Sequence, residues 1–396
     1  MISGFFSSSV VDQKKVFLLP QCGLCGLLRG CKSPKMPVSG QGKLGVLVIG
    51  EAPGASEDER NKPFVGKSGR YLRAVLHGLG FDLDRDAWTT NSLICRPPGN
   101  ATPTAKQIGY CRPNLTILIA KLKPRIVVTL GRSALTSALL GTWHKEIGEL
   151  SRWTGWRMPL RDYWLCPTHH PARLIREHDE MLDREFQKHL RAAFSISKPT
   201  KTWKDLRSRV EVLYDAGKIV KALREMEESK WTAVDYECNC LKPEWHKRRL
   251  VSCAVSNGRR TISYPWLPEA AEATRSLLMN PRVRKIASNL KMEERWTRAV
   301  FGRGAANWGW DTMLAAHCLD SRPGICSLKF QAMVRLGITP WDEKVEAYLR
   351  SDSDNHYNRI HQIPLDELLV YGGIDALLEV WLAMVQRKDM GYEDNA

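Results

Sequence analysis

Two groups of residues in this chain could do chemistry by their types and spacing. In the first half, Cys22 and Cys25 form a C-x2-C pair, and Cys95 and Cys111 follow much later, on either side of a proline-rich loop. Thiolates from distant segments brought to one point make a metal centre that ties a fold together. The quartet brackets a glycine-rich turn, Gly50-Glu51-Ala52-Pro53-Gly54. In the second half, Asp235-Tyr236-Glu237 sets two carboxylates at i and i+2, on one face of a strand. Acids forced together in this way call for a divalent cation to neutralise them. Tyr371 and Asp375, at i and i+4 in YGGID, share one face of a helix. A phenol beside a metal-bound carboxylate can orient an attacking water.

The elements that must position these residues follow from hydrophobic period and turn residues. Apolar, β-rich runs at 44–49, 88–94, 125–130 and 163–166 alternate with helical spacing at 69–79 and 113–122. Strands alternating with helices predict a parallel α/β sheet whose ligand site lies at the strand C-termini. Glu51 then leaves the first strand on a Gly/Pro turn, with backbone amides that can approach a phosphate or base closely. Asn91 ends the next strand, where its amide offers a pyrimidine edge both donor and acceptor. Thr168-His169-His170-Pro171 brings an imidazole to the same rim. Beyond the Ser/Lys/Pro/Thr stretch at 196–204 comes a helical segment at 218–229, then a strand starting at Trp231. Strands at 249–255 and 260–264, joined by Ser256-Asn257-Gly258, read as its antiparallel neighbours. The second domain is expected to be mixed α/β.

At 396 residues the chain is long enough for two ordinary domains. Residues 1–200 carry 29 Lys+Arg against 16 Asp+Glu, whereas residues 201–396 carry 30 against 27. A cationic surplus confined to one half suits a nucleic-acid-binding surface there. The apolar stretch at 16–19 is too short and too polar for a signal or anchor, and no apolar run is expected to reach the length of a membrane span. The eleven cysteines are therefore expected in a reducing cytoplasm, bacterial or of a phage-infected host, as metal ligands or buried thiols.

Together the first-half motifs resemble family 4 of the uracil-DNA glycosylases, the iron–sulfur type, over roughly residues 20–195. They are CGLC, GEAPGASED, KPFVGKSG, TNSLICRPP, GYCRP, PRIVVTLGRSAL and HHPARLIR, in that order. The resemblance implies a [4Fe–4S] cluster on Cys22, Cys25, Cys95 and Cys111. It also implies a pocket of Gly50, Ala52, Pro53, Gly54, Phe64 and Asn91. Within it Phe64 would stack on a flipped uracil, Asn91 would read its edge, and His170 would stabilise the leaving uracil anion. Glu51 would orient the water; relatives that activate water better have an aspartate where Ala52 stands. The resemblance departs at Gly99-Asn100-Ala101, which lacks the family's arginine, at Gln107, which stands where an acid is usual, and at the additional Cys31.

In the second half, D-x-E at Asp235 and Glu237, N-L-K-M-E at 289–293, D-T-M-L at 311–314 and Y-x3-D at 371–375 resemble the 3′–5′ exonuclease domain of DNA polymerase I. That family is a DEDD nuclease with an RNase H-like fold, so the resemblance implies two-metal phosphodiester hydrolysis over about residues 225–390. Asp235, Glu237 and Asp375 would hold Mg2+ or Mn2+, Tyr371 would position water, and Asp311 would support structure. Glu293 replaces the usual aspartate, one methylene longer.

The expected organisation is an N-terminal extension (1–19), a glycosylase-like domain (20–195), a linker and helix (196–224) and an exonuclease-like domain (225–396). The fold class is α/β, a parallel-sheet glycosylase fold followed by an RNase H-like domain. DNA, single- or double-stranded, is the expected partner, with a separate DNA polymerase by analogy to phage replication systems. Two rivals are a polymerase-associated exonuclease whose first half only binds DNA, and a non-catalytic DNA-binding accessory. Phe64, Asn91 and His170 weigh against the first, and the acids with Tyr371 against the second.

Overall fold

The computed structural model describes residues 19–160, 162–200, 205–351, 353 and 356–392. Residues 1–18 of the expected extension and 201–204 of the expected linker lie outside them. The chain forms two compact units, residues 1–202 and 203–396.

The first unit is built on a five-stranded sheet of order β2-β1-β3-β5-β4. The strands are β1 (Val46–Gly50), β2 (Ala87–Asn91), β3 (Ile126–Leu130), β4 (Met158–Leu160) and β5 (Tyr163–Thr168). β1, β2, β3 and β5 run parallel, and β4, which sequence reading missed, is an antiparallel edge. All five residues of β1 and of β3 are buried, as expected of a parallel sheet covered on both faces. Val46, Val48, Ile126 and Val128 pack with Leu72, Leu76, Phe186 and Leu190 from flanking helices. Because four strands share one direction, Gly50-Glu51, Asn91, Gly131 and His169-His170 all emerge at one edge of the sheet.

The helix expected to begin at Pro113 starts eight residues earlier, as Ala105–Leu122 with Pro113 inside it. Its start is fixed by Thr104 and Gln107: the Thr104 hydroxyl accepts from the Gln107 amide at 3.2 Å, and the Gln107 carbonyl accepts from the Thr104 amide at 2.9 Å. This reciprocal capping sets the start of a helix that carries Pro113 in its interior.

The second unit holds a six-stranded sheet of order β11-β10-β7-β8-β9-β6. Its strands are β6 (Glu211–Val212), β7 (Trp231–Cys238), β8 (Leu250–Ser256), β9 (Thr261–Pro265), β10 (Arg284–Ala287) and β11 (Trp308–Asp311). β7, β8 and β9 form an antiparallel meander, and β10 and β11 continue parallel to β7. This order and sense are those of an RNase H-like sheet. Of the segment 196–224 expected to be a linker and helix, the residues from 203 onward belong to this unit. β6 pairs with β9, and Ile219, Ala222 and Leu223 of the helix Ala216–Met226 enter its core.

The period of β7 divides its side chains between two cores. Val234, Tyr236 and Cys238 join one cluster with Ile219, Leu223 and Leu277. Trp231 and Ala233 join Ala376, Val380 and Ala383 of the helix Leu365–Asp389. Asp235 and Glu237 therefore project toward that helix. A Cβ on Gly372 would lie 3.3 Å from Asp235 Oδ2 and 3.4 Å from Glu237 Cγ, so glycine there lets helix and strand approach closely. The expectation that no apolar run reaches membrane-spanning length is corrected by this helix. It is long and apolar enough by length and composition, and 72% of its most apolar stretch is buried inside the unit.

Candidate active sites and metal centres

At the strand edge of the first unit, Gly50 is the point of convergence. A Cβ there would lie 2.4 Å from Asn91 Oδ1 and 2.8 Å from Phe64 Cζ, so only glycine permits the amide and the ring to meet over the backbone. Phe64 holds a φ of 58°, a left-handed conformation costly for an aromatic residue. Arg73 braces it by donating to the Phe64 carbonyl, and Asp84 grips the Arg73 guanidinium at 2.9 and 3.0 Å. The Phe64 ring also belongs to the apolar core, so it is a fixed platform. Pro53 is buried, and Ala52 packs toward the cysteine cluster.

Glu51 accepts a hydrogen bond from Ser133 Oγ at 2.8 Å. His170 caps the helix Pro171–Glu177, its Nδ1 accepting from the Ala172 amide at 3.2 Å. Nδ1 thus carries no proton, and the neutral ring holds its N–H at Nε2. Burial keeps the imidazole below its ordinary pKa, against the opposing pull of the Glu51 carboxylate. His169 is turned into the protein, with Nδ1 3.3 Å from Arg173 Nη1, and burial pushes it down to about 4. Of the two adjacent imidazoles, His170 is the one that feels Glu51. Ser133 was missed by sequence reading, although it stands in the quoted LGRSAL segment. Glu57 accepts from the Gly54 amide at 3.2 Å and the Gly66 amide at 2.6 Å, joining the two glycine turns.

Cys22, Cys25, Cys95 and Cys111 line one pocket, beside Leu27, Leu93 and Asn114. Cys22 and Cys25 open and close a single helical turn, and Cys111 lies on the helix Ala105–Leu122. The Lys35 amide donates to Cys95 Sγ at 3.3 Å, and Asn114 Nδ2 to Cys111 Sγ at 3.6 Å. Burial pushes the Cys95 thiol up to about 11 and raises Cys111 as well. The apolar lining and the donors aimed at sulfur fit a metal centre held by thiolates. Cys31 touches Cys95 from the side, and Asp58 holds its loop by accepting from the Lys32 and Ser33 amides at 3.1 and 2.8 Å.

In the second unit the carboxylates of Asp235, Glu237 and Asp375 bring oxygens within 4.8 Å of one another. Asp235 Oδ2, Glu293 Oε2 and Glu379 Oε2 are buried without a hydrogen-bond partner. Burial, with Asp375 nearby, pushes Asp235 up to about 8, and burial raises Glu237, Glu293 and Glu379 well above the carboxylate range. Orphaned carboxylate oxygens at such depth call for a proton or a cation. The all-oxygen donor set suits a hard divalent ion such as Mg2+ or Mn2+.

Three members of this centre were not anticipated. Lys329 Nζ donates to Asp375 Oδ2 and to Tyr371 Oη, each at 2.7 Å. Trp341 Nε1 donates to Asp375 Oδ1 at 2.7 Å. Glu379, four residues past Asp375, accepts from the Ser288 amide at 2.9 Å. Its i, i+4 spacing could have flagged it; Lys329 and Trp341 come from elsewhere in the chain. Asp311 accepts from the amides of Leu290 at 3.0 Å and Met313 at 2.9 Å, so its carboxylate ties two helix starts together. A separate pocket of about 170 Å³ opens beside Glu237, lined by Tyr236, Cys240, Met292, His356 and Asn358.

Residues 37–194 match the uracil DNA glycosylase superfamily. The type-4 uracil-DNA glycosylase of Pyrobaculum aerophilum is 38% identical over 185 residues, 46% of this chain and 92% of that protein. The type-4 enzyme of Saccharolobus solfataricus is 33% identical over 174 residues, 42% of this chain and 80% of that protein. A DNA polymerase of Bacillus phage SP01 is 30% identical over 105 residues, 26% of this chain and 11% of the polymerase. Among solved structures, the exoribonuclease RNase D of Escherichia coli aligns at 12% identity and a TM-score of 0.34, over 46% of this chain and 45% of RNase D. NrnC of Brucella melitensis bound to pGG aligns at 16% identity and a TM-score of 0.35, over 46% of this chain and 81% of NrnC. At these scores the structural likeness carries no inference, and the strand order of the second sheet stands by itself.

Proposed function

The chain belongs to the type-4 uracil-DNA glycosylases through its first unit, and we propose that it excises uracil from DNA there and trims DNA 3′ ends at the acidic centre of its second unit. The observation that carries the first activity is the convergence of Phe64 and Asn91 on Gly50 at the strand edge that also bears Glu51 and His170. A base must leave the stack before its glycosidic bond can be reached. Phe64 receives the face of the flipped uracil and Asn91 its polar edge. The bond between uracil N1 and sugar C1′ breaks with its electron pair leaving on the base. The Nε2–H of neutral His170 donates to the oxygen where that charge develops, which requires no reorganisation. Glu51, held by Ser133, orients the water that adds to C1′, and the proton the water gives up neutralises the uracil anion as it leaves.

Cys22, Cys25, Cys95 and Cys111 would hold a [4Fe–4S] cluster, whose contribution is to brace the surrounding loops. In the second unit Asp235, Glu237 and Asp375 would hold Mg2+ or Mn2+, which supplies charge neutralisation at the scissile phosphate. Tyr371, kept as a neutral phenol by burial among carboxylates, orients the attacking water. The pocket beside Glu237 takes the terminal nucleoside. The cationic surplus of residues 1–200 complements DNA phosphates. The identity to a phage DNA polymerase supports a place beside replication, with a separate polymerase as partner.

A 5′-labelled single-stranded oligonucleotide with one uracil tests both activities. With chelator present, alkali-labile breaks at uracil are expected; their absence removes the glycosylase reading. With Mg2+ or Mn2+ a ladder shortened from the 3′ end is expected, and survival of the full-length strand removes the nuclease reading. Protein purified without oxygen should be brown and lose that absorbance in Cys95→Ser; colourless protein containing zinc contradicts the cluster.

A further inference from the structure

We infer that the loop joining β7 to β8, residues 239–249, is a docking surface for the phosphate backbone of a single DNA strand whose 3′ end lies at the acidic centre. The inference rests on the proposed nuclease reading and says how that site draws its substrate in. Residues 242–249, KPEWHKRR, hold four Lys+Arg against one Asp+Glu. That surplus of three equals the surplus of residues 201–396 as a whole, 30 against 27. The one acid, Glu244, is taken up by Arg295 of the helix Leu290–Phe301 at 2.7 Å. His246, Lys247, Arg248 and Arg249 are exposed. Among the described residues, neither the Lys247 ammonium nor the Arg249 guanidinium enters a hydrogen bond or ion pair.

The loop is internally braced and fastened to the site. Asn239, two residues past Glu237, ties its neck: Oδ1 accepts from the Arg249 amide at 2.8 Å, and Nδ2 donates to the Lys247 carbonyl at 2.9 Å. The Arg248 guanidinium braces it from within, donating to the carbonyls of Pro243 at 2.6 Å and Ala299 at 3.5 Å. Trp245 packs edge-on against Tyr357, ring centres 5.3 Å apart, and the Tyr357 hydroxyl accepts from the Lys247 amide at 3.3 Å. On the other side of the neck, Asn358 Nδ2 donates to the Cys238 carbonyl at 2.9 Å, and Asn358 lines the pocket beside Glu237. Cys240 and Leu241, near the start of the loop, line the same pocket. The two free cations are therefore held beside the mouth through which a terminal nucleoside would enter. The carboxylates of the centre repel a polyanion, and fixed cations at the rim offset that repulsion for strand phosphates. A paired terminus cannot place its nucleoside in the pocket, so the bound strand is single. Ammonium and guanidinium groups pair with any phosphate, so the surface holds the strand without reading its sequence.

The test follows 3′ trimming of a 5′-labelled oligothymidylate, which holds no uracil, by the full-length protein in Mn2+ over a range of salt. Lys247→Ala combined with Arg249→Ala should raise KM about tenfold and leave kcat unchanged. The slope of log kcat/KM against log salt should become shallower by about 1.4, the share of two phosphate contacts on a single strand. Lys247→Gln combined with Arg249→Gln, which keeps more of the side-chain length, should match the alanine pair. Lys247→Arg combined with Arg249→Lys should keep the wild-type KM and slope. Wild-type KM and slope in the alanine pair overturn the inference and leave the nuclease reading standing. A lower kcat at unchanged KM overturns it as well, because the loop then serves the fold alone. A wild type that trims nothing removes the nuclease reading and the inference with it.

Discussion

Around Gly50 the first unit gathers an aromatic ring, an amide, a neutral imidazole and one carboxylate. Beside β7 the second unit gathers the carboxylates of Asp235, Glu237, Glu293, Asp375 and Glu379 with the ammonium of Lys329. The first centre is set by backbone geometry. Its glycine, its strained Phe64 and the helix cap at His170 leave neutral donors facing where an anion forms. The second is set by charge that its own side chains do not balance, which marks it for a cation. The difference teaches that one chain can meet developing negative charge in two ways: with fixed dipoles needing no exchangeable ion, or with acids that hold a positive ion against the substrate.

This comparison can be broken at several points. His170→Ala should lower uracil release about 100- to 1,000-fold, as loss of an oxyanion donor does elsewhere, and leave 3′ trimming unchanged. Gly50→Ala should cost about 100-fold in uracil release, because the new Cβ displaces Asn91 and Phe64. Steady-state rates at saturating oligonucleotide would check both; a loss confined to KM would point to binding alone. In the other centre, Trp341→Phe removes the indole donor to Asp375 and should slow trimming about tenfold, with uracil release as the unaffected control.

The smallest effect is on stability. His169 is held near 4 in the fold against an ordinary 6.5, so the unfolded chain takes the proton more readily. Stability is then full above about 6.5 and is lost as pH falls from there toward about 4, where the folded protein also protonates. His169→Gln should flatten that part of the melting-temperature profile; an equal slope in variant and wild type would contradict it.

Much of both centres was legible where period and spacing carry it. Period-two alternation placed Asp235 and Glu237 on one face, and four-residue spacing joined Tyr371 to Asp375. Glycine turns after parallel strands located Glu51 and Asn91 at one edge. What stayed hidden came from tertiary approach. Lys329 and Trp341 carry no local pattern that points to Asp375, and only the folded unit brings them there. The segment 196–224 reads as linker and helix, and β6 within it is too short at two residues to show as a strand, yet its pairing with β9 makes it part of the sheet. The capping pair Thr104 and Gln107 was overlooked beside the more conspicuous Pro113.

If the two centres are chemically independent, uracil release needs no divalent ion and 3′ trimming depends on one. The most direct measurement places Asp235→Asn and the wild type on the same 5′-labelled, uracil-containing strand in Mg2+. The account predicts alkali-labile breaks at uracil at the wild-type rate together with loss of the 3′ ladder by about three orders of magnitude. A ladder of wild-type intensity, or uracil release that falls with it, would contradict the account.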